Sequence, residues 1–553
     1  MLKPLMLVAV LLASVLLYRK LCYKRFVQYN RFPQLPTSLF WGHLKVYNEI
    51  TKRGKLDRDH DYIFSEIYEM LGRPPLVLMD YRPICRPVVF VTCYEIAEQI
   101  SRATIQFPAS VPKVDLRYLE HVIGRTSILS SQGDMWKSLR KTYNHGFSLQ
   151  HLLTFLPTML DKTIIFTKHL DMLSSSQDKF SLVSLTTNLT FDIIGAVIMD
   201  VDLDAQHMDP SQRGELIRSF TELLRAYWDD KIHLPWWFKP LTTLKRRRAG
   251  KQVDRILKAM IRRKHEEQQT RQDKTSQRSE SILSLSLQNA KALPQDLLDI
   301  TCDQLKTFLL GGHDSPSATL AWVFYELSRC PRAMAAVRAE LDHIFGPQTD
   351  PETIRAQLVP PLGPELVGQM TYIIAVIKET LRLHTPASTA RYSTTGNFYT
   401  IRTPTGEELG LDDVIVYNCN SIIHRDPRVY GDTAEHFKPE RWLGGSHQQS
   451  EKGLDSGTAE FPYAAWRPFE RGPRSCIGQE FASIEIRVII AVIARRYEFT
   501  KVGLGELALS EDGRPILDQD GRYRVKSQVY DIRQITARPV DDMMVKVKRL
   551  DST

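Results

Sequence analysis

Helical periodicity runs through most of this chain and leaves little room for any architecture but a helical one. Apolar residues recur at three- and four-residue spacing over 134–145, 181–199, 213–228, 248–269, 296–329, 331–344, 367–383 and 478–496. Strand-like pieces are few and short: "LVLMDY", "PVVFVT", "VIVYN" and "MMVKVKRL". No internal repeat is visible. With 553 residues, 43% apolar and 25% charged, the chain can bury a large core and carries no bias toward disorder. Polar stretches around 265–281 and 445–459 read as exposed loops. The expected fold class is mainly α: one helix-rich domain with small β-sheets.

The amino terminus departs from a soluble pattern. "PLMLVAVLLASVLLY" (Pro4 to Tyr18) is uncharged and apolar, and "RKLCYKR" follows at once. A secretory signal would place its positive charges first and end in a small-residue cleavage site; here Lys3 is the one early charge and no such site follows. The stretch is short for a span, but Leu21, Cys22 and Tyr23 extend it while Arg19 and Lys20 snorkel. Residues 1–25 are therefore read as a membrane anchor. Arg19, Lys20, Lys24 and Arg25 on its carboxyl side predict a cytosolic body. Residues 26–45, with the proline-punctuated "RFPQLPTSLFWGHL", form a stiff connector, and 46–553 the folded domain. The net charge of +9, from 73 basic and 64 acidic residues, is mild for this length and gives no argument for a nucleic-acid partner. It suits anionic lipid or an acidic protein surface. "HLPWWFKPL" (His233 to Leu241) has two readings, an ordinary core corner or a second membrane contact through interfacial tryptophans.

The seven cysteines are odd in number and include no C-x-x-C, so neither a disulfide framework nor a zinc site is supported. A reducing compartment fits, with most thiols idle in the core. Cys476 is different: it stands in "PFERGPRSCIG" (468–478), between arginines and glycines and just before an apolar run. Phe469 to Gly478 fits F-x-x-G-x-R-x-C-x-G, which five fixed positions would produce by chance in roughly one chain of this length in ten thousand. This stretch resembles the haem-binding loop of the cytochrome P450 superfamily. Its physics is coherent, because a thiolate on haem iron is a strong donor that favours O–O cleavage. The following helix and nearby backbone N–H groups favour the anion. Gly472 permits a backbone that a side chain would forbid, and Gly478 lets that helix start close to the porphyrin. The resemblance implies Cys476 as the axial iron ligand, Arg474 at a haem propionate and Phe469 shielding the sulfur.

Other stretches agree with that family. "KETLRLH" holds Glu379 and Arg382 in its E-x-x-R pattern, spaced to share a helix face. "FKPERW" supplies Arg441, which the resemblance adds to that ion pair, and "HRDPRVYGD" sits where relatives carry a similar turn. "WKSLRK" places Trp136 and Arg140 one helical turn apart; beside a haem loop the pair resembles the family's propionate clamp. Arg391 is a further propionate candidate. "FLLGGHDSPSATLAW" matches the family's oxygen-side helix, [AG]-G-x-[DE]-T-[ST], as Gly311, Gly312, His313, Asp314, Ser315, Pro316. Two glycines inside a helix cost about 1 kcal/mol each and mark close approach to something. Asp314 and Ser315 form an acid–hydroxyl pair able to relay protons. His313 is expected to face outward. Ser315 replaces the usual threonine, and Pro316 stands where an alcohol is common and removes a backbone donor.

The resemblance implies the cytochrome P450 fold and a haem-dependent monooxygenase. It implies haem b (iron protoporphyrin) with an axial cysteine thiolate, and O2 and NADPH-derived electrons as co-substrates. No flavin or nicotinamide motif lies in the chain, so the electrons must come from a partner, an NADPH-dependent flavoprotein reductase. The substrate would be a lipophilic small molecule, and the setting the endoplasmic reticulum membrane with the catalytic domain facing the cytosol. "RPFERGPRSCIGQE" and the long tail are similar to filamentous-fungal members that tailor secondary metabolites. Two alternatives stand beside this: a haem-thiolate isomerase or dehydratase needing no reductase, and a non-catalytic haem-binding protein. Asp314 with Ser315 argues against the first, and a glycine gap beside the haem against the second.

Overall fold

A computed structural model describes residues 2–228, 239–270, 280–444 and 462–550. The described residues cluster into two compact units, one of 1–114, 388–435 and 461–475, the other of 115–387, 436–460 and 476–553.

The first unit begins with α1 (Leu2–Cys22), whose side chains from Leu5 onward are largely exposed; Leu5–Val27 is long and apolar enough to cross a membrane. At its far end Arg25 is buried and donates to Asp80 Oδ2 at 2.6 Å and to the carbonyls of Leu39, Phe40 and Arg82. Arg82 holds both oxygens of the same aspartate at 2.8 Å. The connector does not stand off: Phe32 and Leu35 enter the two apolar clusters of this unit. These clusters coat opposite faces of a four-stranded sheet ordered Leu76–Met79, Val88–Val91, Ile415–Asn418, Ala390–Tyr392. Successive strand residues alternate faces, so a strand buried on both reads as an unbroken apolar run, and "LVLM" is one. Leu76 and Leu78 pack on one side, Val77 and Met79 on the other. Helix α2 (Tyr94–Ser101) follows the second strand.

The second unit holds α3 (Gly133–Asn144), α4 (Leu156–Ser176), α5 (Leu182–Met199), α6 (Glu215–Arg225), α7 (Pro240–Thr270), α8 (Gln295–Arg329), α9 (Pro331–Phe345), α10 (Thr371–Leu383) and α11 (Gln479–Ile493). The mainly helical class with small sheets is what the periodicity predicts. Helix α4 was not expected, and residues 265–270 are the end of α7 and not loop, with His265 buried. Residues 271–279 of one expected loop, 233–238 of "HLPWWFKPL", and the stretch 445–459 lie outside the described residues. Helix α5 is apolar enough to span a membrane, yet 83% of that window is buried, because it packs along α8. This unit also holds shorter helices, a hairpin of Asp531–Arg533 with Ala537–Pro539, and a three-stranded sheet in which Met544–Arg549 lies between Phe180–Ser181 and Tyr497–Lys501.

Candidate active site

Cys476 ends the "PFERGPRSC" run and precedes α11 by two residues. Four of the other six cysteines are buried, and burial pushes Cys93 and Cys302 up to about 12, where a thiol stays protonated and idle. The Cys476 side chain is exposed. In the same unit, α3 carries buried Trp136 and, one turn on, half-buried Arg140. Burial draws the Arg140 pKa down and the Cys476 charge opposes it, so the two lie within electrostatic reach.

Upstream, the first unit bolts the loop to α2. Gly472 takes φ +71, and a Cβ there would meet the Ser101 carbonyl oxygen at 2.2 Å, so only glycine fits. Arg467 is fully buried and donates to Ala97 O at 3.1 Å and Ser101 Oγ at 2.6 Å. Glu470 takes a left-handed backbone, accepts from Ser101 Oγ at 2.7 Å and from Arg467 at 3.1 Å, and lies 3.5 Å from Arg391. Burial would raise its pKa, but the charges of Arg467 and Arg391 hold it at about 2. Arg474 is buried; Phe469 is half-buried, edge-on to Trp466 at 6.1 Å.

On α8 the two glycines divide. Gly311 is exposed in mid-helix, with no atom within 4 Å of where its Cβ would stand, whereas a Cβ on Gly312 would strike Ile194 of α5 at 2.4 Å. Only the first opens onto free space. Ser315, one turn along that open face, donates its hydroxyl to Gly311 O at 3.0 Å. His313 does not face outward. It is 2% exposed, its Nδ1 lies 2.6 Å from Leu309 O, and its ring meets Phe191 and Phe220 edge-on. Two residues advance a helix by about 200°, which turns 313 away from the face of 311 and toward α5 and α6. Asp314 is buried and bound by Thr536 and Arg538, partners no sequence pattern predicts.

The E-x-x-R cluster is complete. Arg382 grips fully buried Glu379 at 2.9 and 2.8 Å, and Arg441 Nε reaches it at 3.1 Å. Trp442 Nε1 and Lys438 N add bonds of 2.9 Å each. Burial would raise the Glu379 pKa; Arg382 and Arg441 outweigh it and the net shift is down.

These residues fit an iron porphyrin. Within the second unit Cys476 is exposed, Gly311 has nothing within 4 Å of where its Cβ would stand, and Arg140 carries a guanidinium group of the kind a propionate binds. Arg391 is fully buried: its Nη1 donates to Ser110 Oγ at 3.2 Å and Val111 O at 3.1 Å, its Nη2 faces the Glu470 carboxylate at 3.5 Å, and its Nε has no hydrogen-bond partner, a buried donor that a further anion could take.

A family model described as cytochrome P450 matches residues 57–526. The chain is 29% identical to cytochrome P450 monooxygenase acrF of Aspergillus aculeatus over 76% of its length and 83% of that protein. It is 27% identical to cytochrome P450 monooxygenase polC of Polytolypa hystricis over 89% and 86%. Human cytochrome P450 4V2 is 28% identical over 69% of each chain.

Proposed function

The chain belongs to the cytochrome P450 family, and from that premise we propose that it oxidises a lipophilic small molecule, an intermediate of fungal secondary metabolism, with electrons passed from NADPH by a flavoprotein reductase. It is a haem-dependent monooxygenase. When bound, haem supplies the redox centre at which dioxygen is activated. Cys476 is the thiolate that would hold the iron; the observation that carries this is an exposed cysteine within the F-x-x-G-x-R-x-C-x-G loop. Trp136, Arg140 and Arg474 would bind the propionates, joined by Arg391, and Phe469 would limit water at the sulfur. Gly311 leaves room on the oxygen side, where Asp314 and Ser315 move protons. Likeness to fungal monooxygenases supports the metabolic setting. The exposed apolar α1 with basic residues after it supports a single-pass anchor in the endoplasmic reticulum, with the catalytic body on the cytosolic side.

The test is Cys476→Ser. A serine hydroxyl is a poor iron ligand, so the variant should lose activity, and its reduced carbon monoxide complex should lack the red-shifted Soret band of thiolate ligation that the parent shows. A histidine-type spectrum from folded parent protein would overturn the assignment.

A further inference from the structure

Glu470, six residues before Cys476, takes a left-handed backbone with φ +59, a conformation that glycine adopts freely and a side chain resists. What it offers over glycine is a carboxylate. Oε1 accepts from Ser101 Oγ at 2.7 Å, Arg467 Nη2 at 3.1 Å and Arg471 N at 3.2 Å, and Oε2 lies 3.5 Å from Arg391 Nη2. Both Arg391 and Arg467 are fully buried, and each is fastened without it, Arg391 by Ser110 and Val111, Arg467 by Ala97, Ser101 and Ala464. Two buried guanidiniums therefore share one carboxylate. A second acid, Glu98, lies 3.6 Å from Arg467, but Arg471 Nε holds the same oxygen at 2.8 Å. Burial draws the Arg391 pKa down, and Glu470 opposes this only in part. The network keeps an excess positive charge, barest at the unbonded Nε of Arg391. Burial would raise the Glu470 pKa, but Arg467 and Arg391 hold it at about 2, so it carries its charge at neutral pH.

We propose that Glu470 is a positioning residue that acts on the haem through these arginines: its single negative charge offsets theirs and keeps the iron harder to reduce. This rests on the reading of Arg391 as a propionate donor. Reduction adds one electron to the ferric iron, supplied by the flavoprotein reductase, and makes or breaks no bond. A buried positive charge nearby favours that electron and a buried negative charge opposes it, with little screening by water. Arg391 and Arg467 without a counter-charge would favour it most. Glu470 is fixed where it subtracts from both, and its three accepted hydrogen bonds keep it from swinging away.

The experiment titrates the full-length holoenzyme, without substrate, with dithionite in the presence of mediator dyes, and reads the ferric–ferrous midpoint potential from the Soret band. Glu470→Gln keeps the shape of the side chain and removes its charge. It should favour the ferrous state by about tenfold, a rise of about 59 mV for one electron. Glu470→Asp keeps the charge and should recover most of the parent potential. Ser101→Ala loosens the same carboxylate with no change of charge and should leave the potential where it is. Arg391→Gln should move it the other way. Should Glu470→Gln fold poorly, judged by its reduced carbon monoxide spectrum, the same change is made in Arg467→Gln, where the network keeps the parent's net charge. The double variant should then lie above Arg467→Gln by a similar shift. If Glu470→Gln lowers the thermal midpoint of unfolding and leaves the potential unmoved, Glu470 is only a brace and the proposal falls. If Arg391→Gln shifts the potential and Glu470→Gln does not in either background, the proposal falls and the propionate reading stands. If Arg391→Gln moves nothing, the propionate reading falls and the proposal with it.

Discussion

Glu485 lies on α11, nine residues beyond Cys476, wholly buried and with neither carboxylate oxygen bonded. Burial pushes its pKa well above the ordinary carboxylate value, so the folded protein keeps it as a neutral acid. The unfolded chain releases that proton above about pH 4.3. Stability linked to this group is therefore full below that pH and falls as pH rises, by up to about 1.4 kcal/mol per unit, until the folded pKa is reached. Glu485→Gln should raise the thermal midpoint at pH 7 to 8, and the gap from the parent should close toward pH 5; parallel curves across that range would refute it. Sequence reading finds the helix here but not this burden. "ASIEIRV" looks like an amphipathic face, and nothing local says that all sides are covered. Glu379 and Arg382 were legible as a pair because their spacing alone sets the contact. Trp442 was not legible, although it bonds the same carboxylate, because no local pattern carries that contact. His313 was misread for a related reason: which face of α8 meets α5 is a packing outcome.

Helix α8 tests how far a sequence rule survives packing. Pro316 removes the N–H that would bond Gly312 O, yet the helix runs unbroken from Gln295 to Arg329. Threonines of α5 supply outside donors on either side of the proline: Thr190 Oγ1 to His313 O at 3.0 Å and Thr186 Oγ1 to Ser317 O at 3.1 Å. The neighbouring helix thus braces the weakened turn. Pro316→Thr should restore the helical bond and raise stability by about 1 kcal/mol, the usual net worth of one hydrogen bond. Denaturant titration checks this, and an unchanged midpoint would mean that α5 already makes good the whole deficit. Elements with a long period were readable to within a few residues, as 331–344 against Pro331–Phe345 illustrates. The hairpin strands were not, because three residues are too few to show alternation. The contact that matters most for Asp314 spans 224 positions, beyond the reach of any periodicity.

At the scale of the chain, the cytochrome P450 family and its helical body were legible from motifs scattered over most of the length. The way α1 meets the first unit was not. Its proline-rich sequel reads as a spacer, but Arg25, buried with Asp80, ties the helix end directly to the sheet. Deletion to residue 22 keeps this tie and deletion to residue 30 removes it. Arg82 still neutralises Asp80 in the longer deletion, so its loss should be on the order of 2 kcal/mol, below the 3–5 of an abandoned buried ion. Thermal unfolding of the two forms compares them, and equal midpoints would show that Arg25 is dispensable. A tie of this kind also changes what the lipid does. A protein on a slack tether pivots freely and meets the bilayer at every angle. One whose spanning helix runs without slack into its sheet inherits the helix's tilt, and that tilt follows hydrocarbon thickness. The bilayer becomes a goniometer for the first unit, and the thickness of the host membrane fixes the reading.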